Sequence, residues 1–451
     1  MKIVIIGDGK VGKTIVQHVA KEDHEVTIID TNPKVVEQIV DQFDVMGIAG
    51  NGASYEIQKS ARVDKADLVI SATSSDEVNI LSCIVAKQLG ATATVARVRS
   101  YDYSNQINLI SHKLGINMTI NPELETANEI TNIINFPEAM MVDSFAKGKV
   151  ELVSLFVPEN SDIVGKKLVE LHDLYKIQVL VCAIERGDEV FIPSGQNVIQ
   201  AKDKIYITSS KQNVKMFAQK LGLFDSKIKN VLIIGGGKIS LYLAELLIKN
   251  KYNVKIIEKN YDRCLELNEL LPNATIIYGD GSDQDLLLEE GISDVDAIIP
   301  ITNSDEENII ISLFAAKKNG GKIVTKINKQ SFVDLIETLE MASVVSPKEI
   351  TSQKILSYIR AKSNTHGSNV RTLYKLVNNQ VEALEFIAKD DKTIVNKQLK
   401  NITLKKNILI AAIIRENDVI IPGGNDFIKE KDSVIVISKD HILDDLSDIL
   451  V

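Results

Sequence analysis

Short apolar runs alternate with amphipathic segments along the first 135 residues of the chain. The runs that predict strands lie at 2–6, 25–30, 44–48, 66–72, 93–99 and 117–120, and the patterns that predict helices lie at about 10–21, 33–42, 53–60, 76–89, 102–114 and 123–134. Apolar strands that alternate with amphipathic helices are typical of a parallel sheet covered on both faces. With right-handed crossovers, the pattern predicts a doubly wound α/β fold.

Residues 140–222 show a different pattern. The strand-like runs VELVSLFV and IQVLVCAIE are followed by the shorter EVFIP and KIYITS, with one helical pattern near 165–174. This spacing indicates a small α+β module rather than a second parallel sheet. Pro137 disfavours helical backbone at the residue before it, so we place the boundary between the two patterns near Asn135.

The chain repeats itself. Residues 2–16 and 230–244 share five of fifteen positions at an offset of 228, and TSSDEVN at 73–79 matches TNSDEEN at 302–308 in five of seven positions. Matches in the small modules, such as IPSG and IPGG, keep the same order. An ordered repeat over most of the chain predicts a duplicated fold.

The duplicated pattern predicts four domains in a fold of the α/β class. We expect two tandem Rossmann-like doubly wound parallel sheets, each followed by a small α+β regulatory domain. The predicted ranges are 1–135 and 228–355 for the Rossmann domains and 140–225 and 370–451 for the small domains. The length of 451 residues agrees with several domains, because about 150 residues per domain is usual.

A glycine motif that fits a diphosphate follows the first predicted strand. Gly7-Asp8-Gly9-Lys10-Val11-Gly12 lies between an apolar strand and a helix, and Asp30 ends the next strand. In this context the first glycine permits a tight turn, the second lets the backbone approach a diphosphate and the third lets the helix pack on the strand. Asp30 is placed to accept hydrogen bonds from the ribose hydroxyls, which favours NAD(H) or a simple adenine nucleotide over NADP.

The repeat carries a second glycine motif, Gly235-Gly236-Gly237-Lys238-Ile239-Ser240, with Glu258 at the acidic position. Ser240 replaces the third glycine and adds bulk where the helix meets the strand. The phosphate-facing backbone of Gly235 and Gly237 is kept. The sequence leaves two interpretations open, a working second nucleotide site and a vestigial one.

Further polar residues follow the predicted strands, and we expect them at the same edge because ligands of such sheets bind beyond the carboxyl ends of the strands. In the first half they are Asn51, Thr73, Ser74, Arg97 and Arg99. In the second half they are Asp280, Thr302, Asn303, Lys326 and Asn328. The first half therefore offers two cations and the second one, so we expect the first site to tolerate more phosphate charge. Arg99 fits an ordinary surface charge equally well.

The composition argues against several other classes of protein. Lysine and arginine number 52 against 61 aspartate and glutamate residues, a net charge of −9, whereas a nucleic-acid binder would show a basic stripe. No apolar run approaches the length of about 20 residues that spans a bilayer. The three cysteines lie far apart and are expected to be buried and reduced, and the six scattered histidines indicate no metal site.

The duplicated order resembles a known family at this point. The chain resembles the RCK or KTN family, the nucleotide-binding subunits that regulate potassium conductance. The resemblance is carried by IVIIGDGKVG followed by Asp30, by the TSSDEVN segment and by Arg97, and it covers nearly the whole chain. It implies binding of NAD(H) and of ATP or ADP. It carries over a first site of Gly7, Asp8, Gly9, Lys10, Val11, Asp30, Thr73, Ser74 and Arg97, and a second site of Gly235, Gly236, Gly237, Lys238, Ile239, Glu258, Thr302 and Lys326.

The same resemblance implies a function and a partner. Such subunits assemble as homotetramers whose Rossmann domains form a ring under a potassium-translocating membrane subunit of the TrkH/TrkG type. Nucleotide exchange changes the shape of the ring and gates potassium entry. The chain is then expected in the cytoplasm, held peripherally at the inner face of the cell membrane by its partner.

Two other functions stay open from the sequence. An NAD-dependent oxidoreductase needs a proton donor beside the nicotinamide. Each Rossmann half is followed only by a small module without an obvious substrate cleft, so we expect a regulator rather than an enzyme. The other alternative is a scaffold whose nucleotide pockets are inactive.

Overall fold

A computed structural model gives the fold of the chain. It describes residues 1–7, 9–20, 24–101, 103, 111, 113–135, 139–145, 149–187, 189–221, 228–318, 321–329, 331–332, 342–364, 370–376, 380–389, 391, 393–416, 418–441 and 443–451. No helix within these ranges combines the length and the apolar character needed to cross a bilayer.

The first half begins with a six-stranded parallel sheet. Its strands are β1 (Lys2–Ile6), β2 (Glu25–Asp30), β3 (Met46–Ala49), β4 (Leu68–Ser71), β5 (Ala93–Arg97) and β6 (Met118–Ile120), and the described helices are α1 (Lys10–Val19), α2 (Pro33–Gln42), α3 (Tyr55–Ser60), α4 (Asp76–Leu89) and α5 (Pro122–Asn135). The strand order is β3-β2-β1-β4-β5-β6. The order reverses between β1 and β4, which is where a doubly wound sheet opens a crevice for a ligand.

A smaller antiparallel sheet of five strands follows. It contains β7 (Ala139–Phe145), β8 (Val150–Phe156), β9 (Leu180–Arg186), β10 (Glu189–Phe191) and β11 (Lys204–Ser209), together with α6 (Glu170–Tyr175) and α7 (Lys211–Lys220). Apolar residues of α7, among them Val214 and Phe217, are fully buried against one face of this sheet. The face is therefore covered by a helix that begins at the end of the last strand.

The second half repeats both sheets. The parallel sheet contains β12 (Asn230–Ile234), β13 (Asn253–Glu258), β14 (Thr275–Tyr278), β15 (Ala297–Pro300), β16 (Lys322–Lys326) and β17 (Ser343–Val345), with α8 (Lys238–Lys249), α9 (Tyr261–Leu270), α10 (Gln284–Glu289), α11 (Asp305–Lys318) and α12 (Pro347–Asn364). Its order is β14-β13-β12-β15-β16-β17. The antiparallel sheet contains β18 (Val370–Leu376), β19 (Val381–Ile387), β20 (Ile408–Arg415), β21 (Asp418–Ile420) and β22 (Ser433–Ser438). The predicted fold class is confirmed.

The chain divides into two compact units that each combine both halves of the repeat. The first unit contains residues 1–134 and 228–356, so the two parallel sheets, here called the first and second lobes, pack together. Ala127, Ile130 and Ile134 of α5 lie in the core of the second lobe. The second unit contains residues 135–227 and 357–451, in which the two antiparallel sheets bury a joint apolar core.

Sequence patterns located most elements of the first lobe but missed two in the small module. The helices at 33–42 and 76–89 and the strands at 2–6 and 25–30 have the predicted bounds. The patterns did not predict β7 or α7. The helix expected at 102–114 lies largely outside the described residues. Cys83, Cys182 and Cys264 are free and buried, as expected.

One ion pair is repeated in both antiparallel sheets. Asp203 is fully buried and accepts hydrogen bonds from Nε and Nη2 of Arg186, each at 2.7 Å. Arg415 binds Asp432 in the same way, with Nη2 at 2.8 Å from Oδ2. Each arginine also donates to a backbone carbonyl, that of Val198 or of Phe427. The pair therefore ties the end of β9, or of β20 in the second sheet, to the loop that precedes the last strand.

Replacement of Asp203 should test how much this pair contributes. Asp203→Ala leaves Arg186 without its buried carboxylate, and we expect the free energy of unfolding to fall by about 3 kcal/mol, the lower end for such pairs because the arginine is 31% exposed. Urea unfolding measures the change. Glu159→Ala is the control, since its ion pair with Lys202 is exposed and worth less than about 1 kcal/mol. Equal losses for both variants would contradict the assignment.

Candidate functional site

The first glycine turn lies at the carboxyl end of β1. Gly7 has a φ of +94°, and a Cβ placed there would lie 2.9 Å from the Cα of Thr73. Only glycine adopts this conformation without strain. At Gly12 a Cβ would lie 2.0 Å from the carbonyl oxygen of Gly7, so the helix packs directly on the turn. The roles that the sequence predicts for the first and third glycines agree with this geometry.

The second glycine of the motif has an open face. A Cβ at Gly9 would lie 3.9 Å from the carbonyl oxygen of Ala72, an ordinary contact, and the φ of −66° suits any residue. Gly9 caps the amino end of α1, where backbone N–H groups and the helix dipole attract an anion. Val11 begins the buried face of the same helix. Asp8 and the side chain of Lys10 lie outside the described residues.

The acidic residues end the strand beside each turn. Asp30 is the last residue of β2 and accepts a hydrogen bond from the backbone N–H of Asn32 at 2.8 Å. In the second lobe, Glu258 accepts from the backbone N–H of Gly236 at 2.6 Å and from that of Asn260 at 2.7 Å. The carboxylate of Glu258 therefore contacts the glycine turn directly.

Ser240 fits into the second turn. Gly235 has a φ of +103°, like its counterpart Gly7. The hydroxyl of Ser240 donates to the carbonyl of Gly235, and the side chain is 1% exposed. The serine is buried at the junction of helix and turn and does not line the adjacent cavity.

This adjacent cavity has a volume of about 850 Å³. Its wall includes Gly235, Gly236, Gly237, Lys238, Glu258, Asp280, Thr302 and Asn303, all of which the sequence placed at this edge. Asp280 accepts hydrogen bonds from Ser282, which lower the pKa of its carboxyl. Its counterpart Asn51 accepts from the backbone N–H of Ala53.

Arg263 also lines this cavity, and the sequence analysis missed it. Its Nε donates to the carbonyl of Gly236 at 2.7 Å, and its Nη1 lies 2.7 Å from Glu266. The guanidinium therefore holds the outer side of the glycine turn. The position in the first half is occupied by Val35, so the repeat gave no signal for it.

A buried asparagine in each lobe holds the loop after the fourth strand. Oδ1 of Asn79 accepts from the backbone N–H and the hydroxyl of Thr73, at 2.8 and 2.7 Å, and Nδ2 donates to the carbonyl of Arg97 at 2.9 Å. Asn308 makes the same bonds to Thr302 and Lys326. The sequence analysis took candidate site residues only from the start of the repeated TSSDEVN segment. Both copies of the segment also end in asparagine, and this shared residue was the signal that could have identified Asn79 and Asn308.

A second cavity, of about 690 Å³, lies between the two lobes. We call it the interlobe cavity, and its wall includes Gly9, Val11, Ser74, Arg97, Arg99, Glu123, Gly237, Lys238, Ile239, Asn303, Lys326, Asn328 and Lys348. The amino ends of α1 and α8, with the glycine turns before them, thus face the same cavity. Five of these residues are lysine or arginine and one is acidic, so the cavity attracts anions.

The two arginines of the first lobe differ in their partners. Nη1 of Arg97 donates to the carbonyl of Ala72 at 3.3 Å, whereas its buried Nε has no hydrogen-bond partner among the described residues. Burial, and next the charge of Arg99, lower the pKa of the Arg97 guanidinium. Nε of Arg99 lies 2.7 Å from Oε1 of Glu123. The positive charge of Arg99 is therefore paired already.

The structure changes the charge count that the sequence suggested. Asn328, the counterpart of Arg99, donates its side-chain amide to Asp305 at 2.9 Å. Lys348 adds a cation beside Lys326. It follows the proline at the start of α12, just as Glu123 follows the proline at the start of α5. Two cations and one carboxylate then line the cavity from the end of the first sheet, and two cations line it from the end of the second.

The TrkA-N domain matches residues 3–122 and 231–347, and the TrkA-C domain matches residues 152–222 and 383–451. The chain is 33% identical over 448 residues to the Trk system potassium uptake protein TrkA homolog 1 of Methanosarcina mazei, which covers 97% of both chains. The chain belongs to the TrkA family. The resemblance that the sequence motifs indicated is thereby confirmed.

Solved structures share the TrkA-family fold. The crystal structure of the GsuK RCK domain matches with a TM-score of 0.63 at 16% identity and covers 97% of this chain and 92% of that one. The GsuK channel bound to NAD matches with a TM-score of 0.63 at 17% identity and covers 97% and 77%. At these identities the likeness shows a shared arrangement of parallel and antiparallel sheets.

Alanine variants at Gly9 and Gly12 should separate effects on folding stability from effects on nucleotide binding. In Gly12→Ala the added carbon meets the Gly7 carbonyl, and we expect a loss of about 1–3 kcal/mol of stability, as for other overpacked sites. Gly9→Ala should keep its stability within about 0.5 kcal/mol but weaken nucleotide binding, because its methyl group stands where a diphosphate approaches. Denaturant unfolding and NADH titration measure the two effects. A Gly9→Ala protein that binds NADH and ATP as tightly as the wild type would contradict this placement.

Proposed function

We propose that the chain is a cytosolic nucleotide-binding regulatory subunit that controls a membrane potassium-uptake protein. The observation that carries the proposal is the interlobe cavity. It brings both glycine turns and cations of both lobes to one space. A nucleotide bound at either turn therefore changes the charge balance between the lobes. The name of the Methanosarcina mazei relative, a potassium uptake protein, supports the link to potassium.

The ligands that fit best are NAD(H) and the adenine nucleotides ATP and ADP. A glycine turn followed by a carboxylate at the end of the next strand is the arrangement that binds a diphosphate and the adenosine ribose. Asp30 and Glu258 supply that carboxylate in the two lobes. The solved GsuK channel with a similar fold binds NAD, which supports a dinucleotide at one of the turns.

Gating follows from a difference in affinity between two arrangements of the lobes. A ligand shifts such an equilibrium only by its differential affinity for the two states. Phosphates that enter the interlobe cavity draw Lys238, Lys326 and Lys348 of the second lobe and Arg97 of the first toward one anion. A ligand without a terminal phosphate leaves the like charges facing each other. The bound nucleotide therefore determines how closely the lobes approach.

The partner that we propose is a potassium-translocating membrane subunit of the TrkH/TrkG type, which would hold the chain at the inner face of the membrane. Homotetramers would form a ring through the Rossmann lobes. Leu81 of α4 and Ile310 of α11 occupy equivalent positions and are 50% and 59% exposed, and Leu313 is 42% exposed. These three exposed apolar residues, here called the apolar stripe, support contacts with further copies of the chain.

Potassium flux tests the proposal directly. The chain and its membrane subunit are reconstituted in vesicles, and flux is measured with NADH, ATP, ADP or no nucleotide. We expect flux to differ between nucleotides and the Gly9→Ala variant to respond less. Thermal unfolding of the isolated chain provides a second readout, because a ligand at a hundredfold excess over its dissociation constant stabilises by about 2.7 kcal/mol.

Two results would reject this function. Flux that is the same with every nucleotide, together with an unchanged unfolding temperature, would favour a scaffold with inactive pockets. Oxidation of NADH by the purified chain in the presence of small carbonyl compounds would favour the alternative, an NAD-dependent oxidoreductase.

The apolar stripe should determine the assembly state. Leu81→Asp combined with Ile310→Asp places two charges on the stripe, and we expect the mass in solution to fall below that of a tetramer. Light scattering after size exclusion measures the mass. Val40→Asp is a matched control because Val40 is 40% exposed on α2. A double variant that keeps the mass of the wild type would show that other surfaces form the assembly.

A further inference from the structure

One edge of the second lobe carries three exposed apolar side chains that lie together. Tyr261 and Leu265 are one helical turn apart on α9 and are 58% and 52% exposed, and Tyr278, at the end of β14, is 61% exposed. The rings of Tyr261 and Tyr278 meet edge to face, with their centroids 5.5 Å apart. β14 is the edge strand of the described sheet, so no neighbouring strand of that sheet covers this surface. We call these three residues the aromatic patch.

The first lobe does not repeat the aromatic patch. In the register of the equivalent helices and strands, the patch corresponds to three residues without an aromatic ring: Pro33, Glu37 and Ala49. Both lobes have the same strand order, so the fold itself does not require exposed aromatic side chains at this edge. Large apolar side chains that are exposed together mark a surface that contacts another molecule.

The aromatic patch lies outside the cavity beside the second glycine turn. None of its three residues lines that cavity, whereas Arg263, on the same helix, does. Helix α9 therefore holds the turn through the bond from Arg263 to Gly236, packs on the sheet through the buried Cys264 and Leu267, and presents the patch to solvent. A molecule that docks on the patch leaves the cavity open and still contacts the helix that holds the glycine turn.

Carboxylates flank the aromatic patch. Three exposed ones lie on α9 itself: Asp262, Glu266 and Glu269. The same helix has one cation, Arg263, which is paired with Glu266. The segment 283–290 after β14 adds four carboxylates and no lysine or arginine, and one of the four, Glu290, is paired with Lys255. The equivalent segment of the first lobe, 54–61, has one carboxylate and one lysine. This edge of the second lobe therefore combines apolar rings with negative charge.

The negative charge decides between the possible occupants of the patch. A lipid surface is disfavoured, because its anionic headgroups would face the carboxylates. A second copy of the chain bound through the same patch would bring two sets of carboxylates together. The occupant that fits is a protein surface with apolar and basic side chains. The cytoplasmic loops of membrane proteins have this character, since they carry an excess of lysine and arginine.

We propose that the aromatic patch is the docking surface for the basic cytoplasmic face of the membrane subunit. This inference rests on the proposed function and names the part of the chain that makes the contact. Each chain offers one such surface, on its second lobe, rather than two. Tyrosine is one of the residues that dominate the binding energy of protein interfaces. The carboxylates beside it select a basic partner and raise the rate of association.

Substitution by the residues of the first lobe tests the patch. Leu265→Glu combined with Tyr278→Ala introduces the residues that the same fold already carries in the first lobe, so we expect the protein to stay folded. Binding to the membrane subunit in phosphatidylcholine nanodiscs is measured by biolayer interferometry. We expect the affinity to fall about tenfold or more. Val40→Glu is the matched control, because Val40 is 40% exposed on α2, the equivalent helix of the first lobe.

The same double variant should keep its nucleotide affinity. Its two substitutions do not line the cavity beside the glycine turn, so we expect NADH and ATP affinities of the isolated chain to stay within about threefold of the wild type. Titration of both nucleotides measures this. A loss of membrane-subunit binding with intact nucleotide binding separates a docking defect from a folding defect.

Charge reversal tests the choice of a basic partner. Asp262→Lys combined with Glu269→Lys keeps the aromatic patch, and we expect it to weaken binding to the membrane subunit about fivefold or more at low ionic strength and less at high salt, because ions screen exposed charges. Glu37→Lys combined with Asp41→Lys is the matched control. It makes the same change of charge on α2 of the first lobe.

Four results would overturn the docking surface. The first is unchanged affinity in the patch variant, and the second is an equal loss from the two charge-reversal variants. Binding to vesicles that contain phosphatidylglycerol and no protein, lost in the patch variant, would identify a lipid contact instead. A patch variant with a lower mass in solution and unchanged binding would identify a contact between copies of the chain. If the wild-type chain does not bind the membrane subunit at all, the proposed function fails as well, whereas the other results leave it standing.

Discussion

The close approach of a helix to a strand end is the constraint on which the first site depends. At Gly12 the helix backbone lies so near the Gly7 carbonyl that no side chain fits between them. This packing points the amino end of α1 at the crevice and exposes its N–H groups there. Asp30, Asn79 and Arg97 act at that edge only because parallel strands bring their carboxyl ends together.

Duplication within one chain places equivalent elements against each other rather than beside their neighbours in sequence. The two parallel sheets form one compact unit and the two antiparallel sheets form another, although each lobe is followed along the chain by a small module. The ring of Tyr242 in the second lobe lies 5.5 Å from that of Tyr101 in the first, at a tilt of 42°, and its hydroxyl accepts a hydrogen bond from Asn121. Such contacts make the interlobe cavity a property of the pair of lobes.

The periodicity of apolar residues predicted those helices and turns whose bounds depend on contacts between residues close together in the sequence. The bounds of α2 and α4 follow from amphipathic spacing and from the caps at Asn32 and Ser75, so they could be read directly. The glycine motif predicted its own turn because strand, turn and helix are consecutive. Arg263 could not be found, because its partner Gly236 lies across the fold and the repeat has Val35 instead.

The pairing of Arg99 with Glu123 shows why a count of cations in the sequence does not give the charge of the cavity. These residues lie 24 positions apart and meet only when β5 and α5 are in place. In a symmetric dimer of identical subunits every substitution occurs at both equivalent positions. A fused duplicate is free of that restriction, so Glu123 and Lys348 can differ while the fold around them stays the same. The covalent link between the halves thus permits a carboxylate and an ammonium group to line one cavity at equivalent positions.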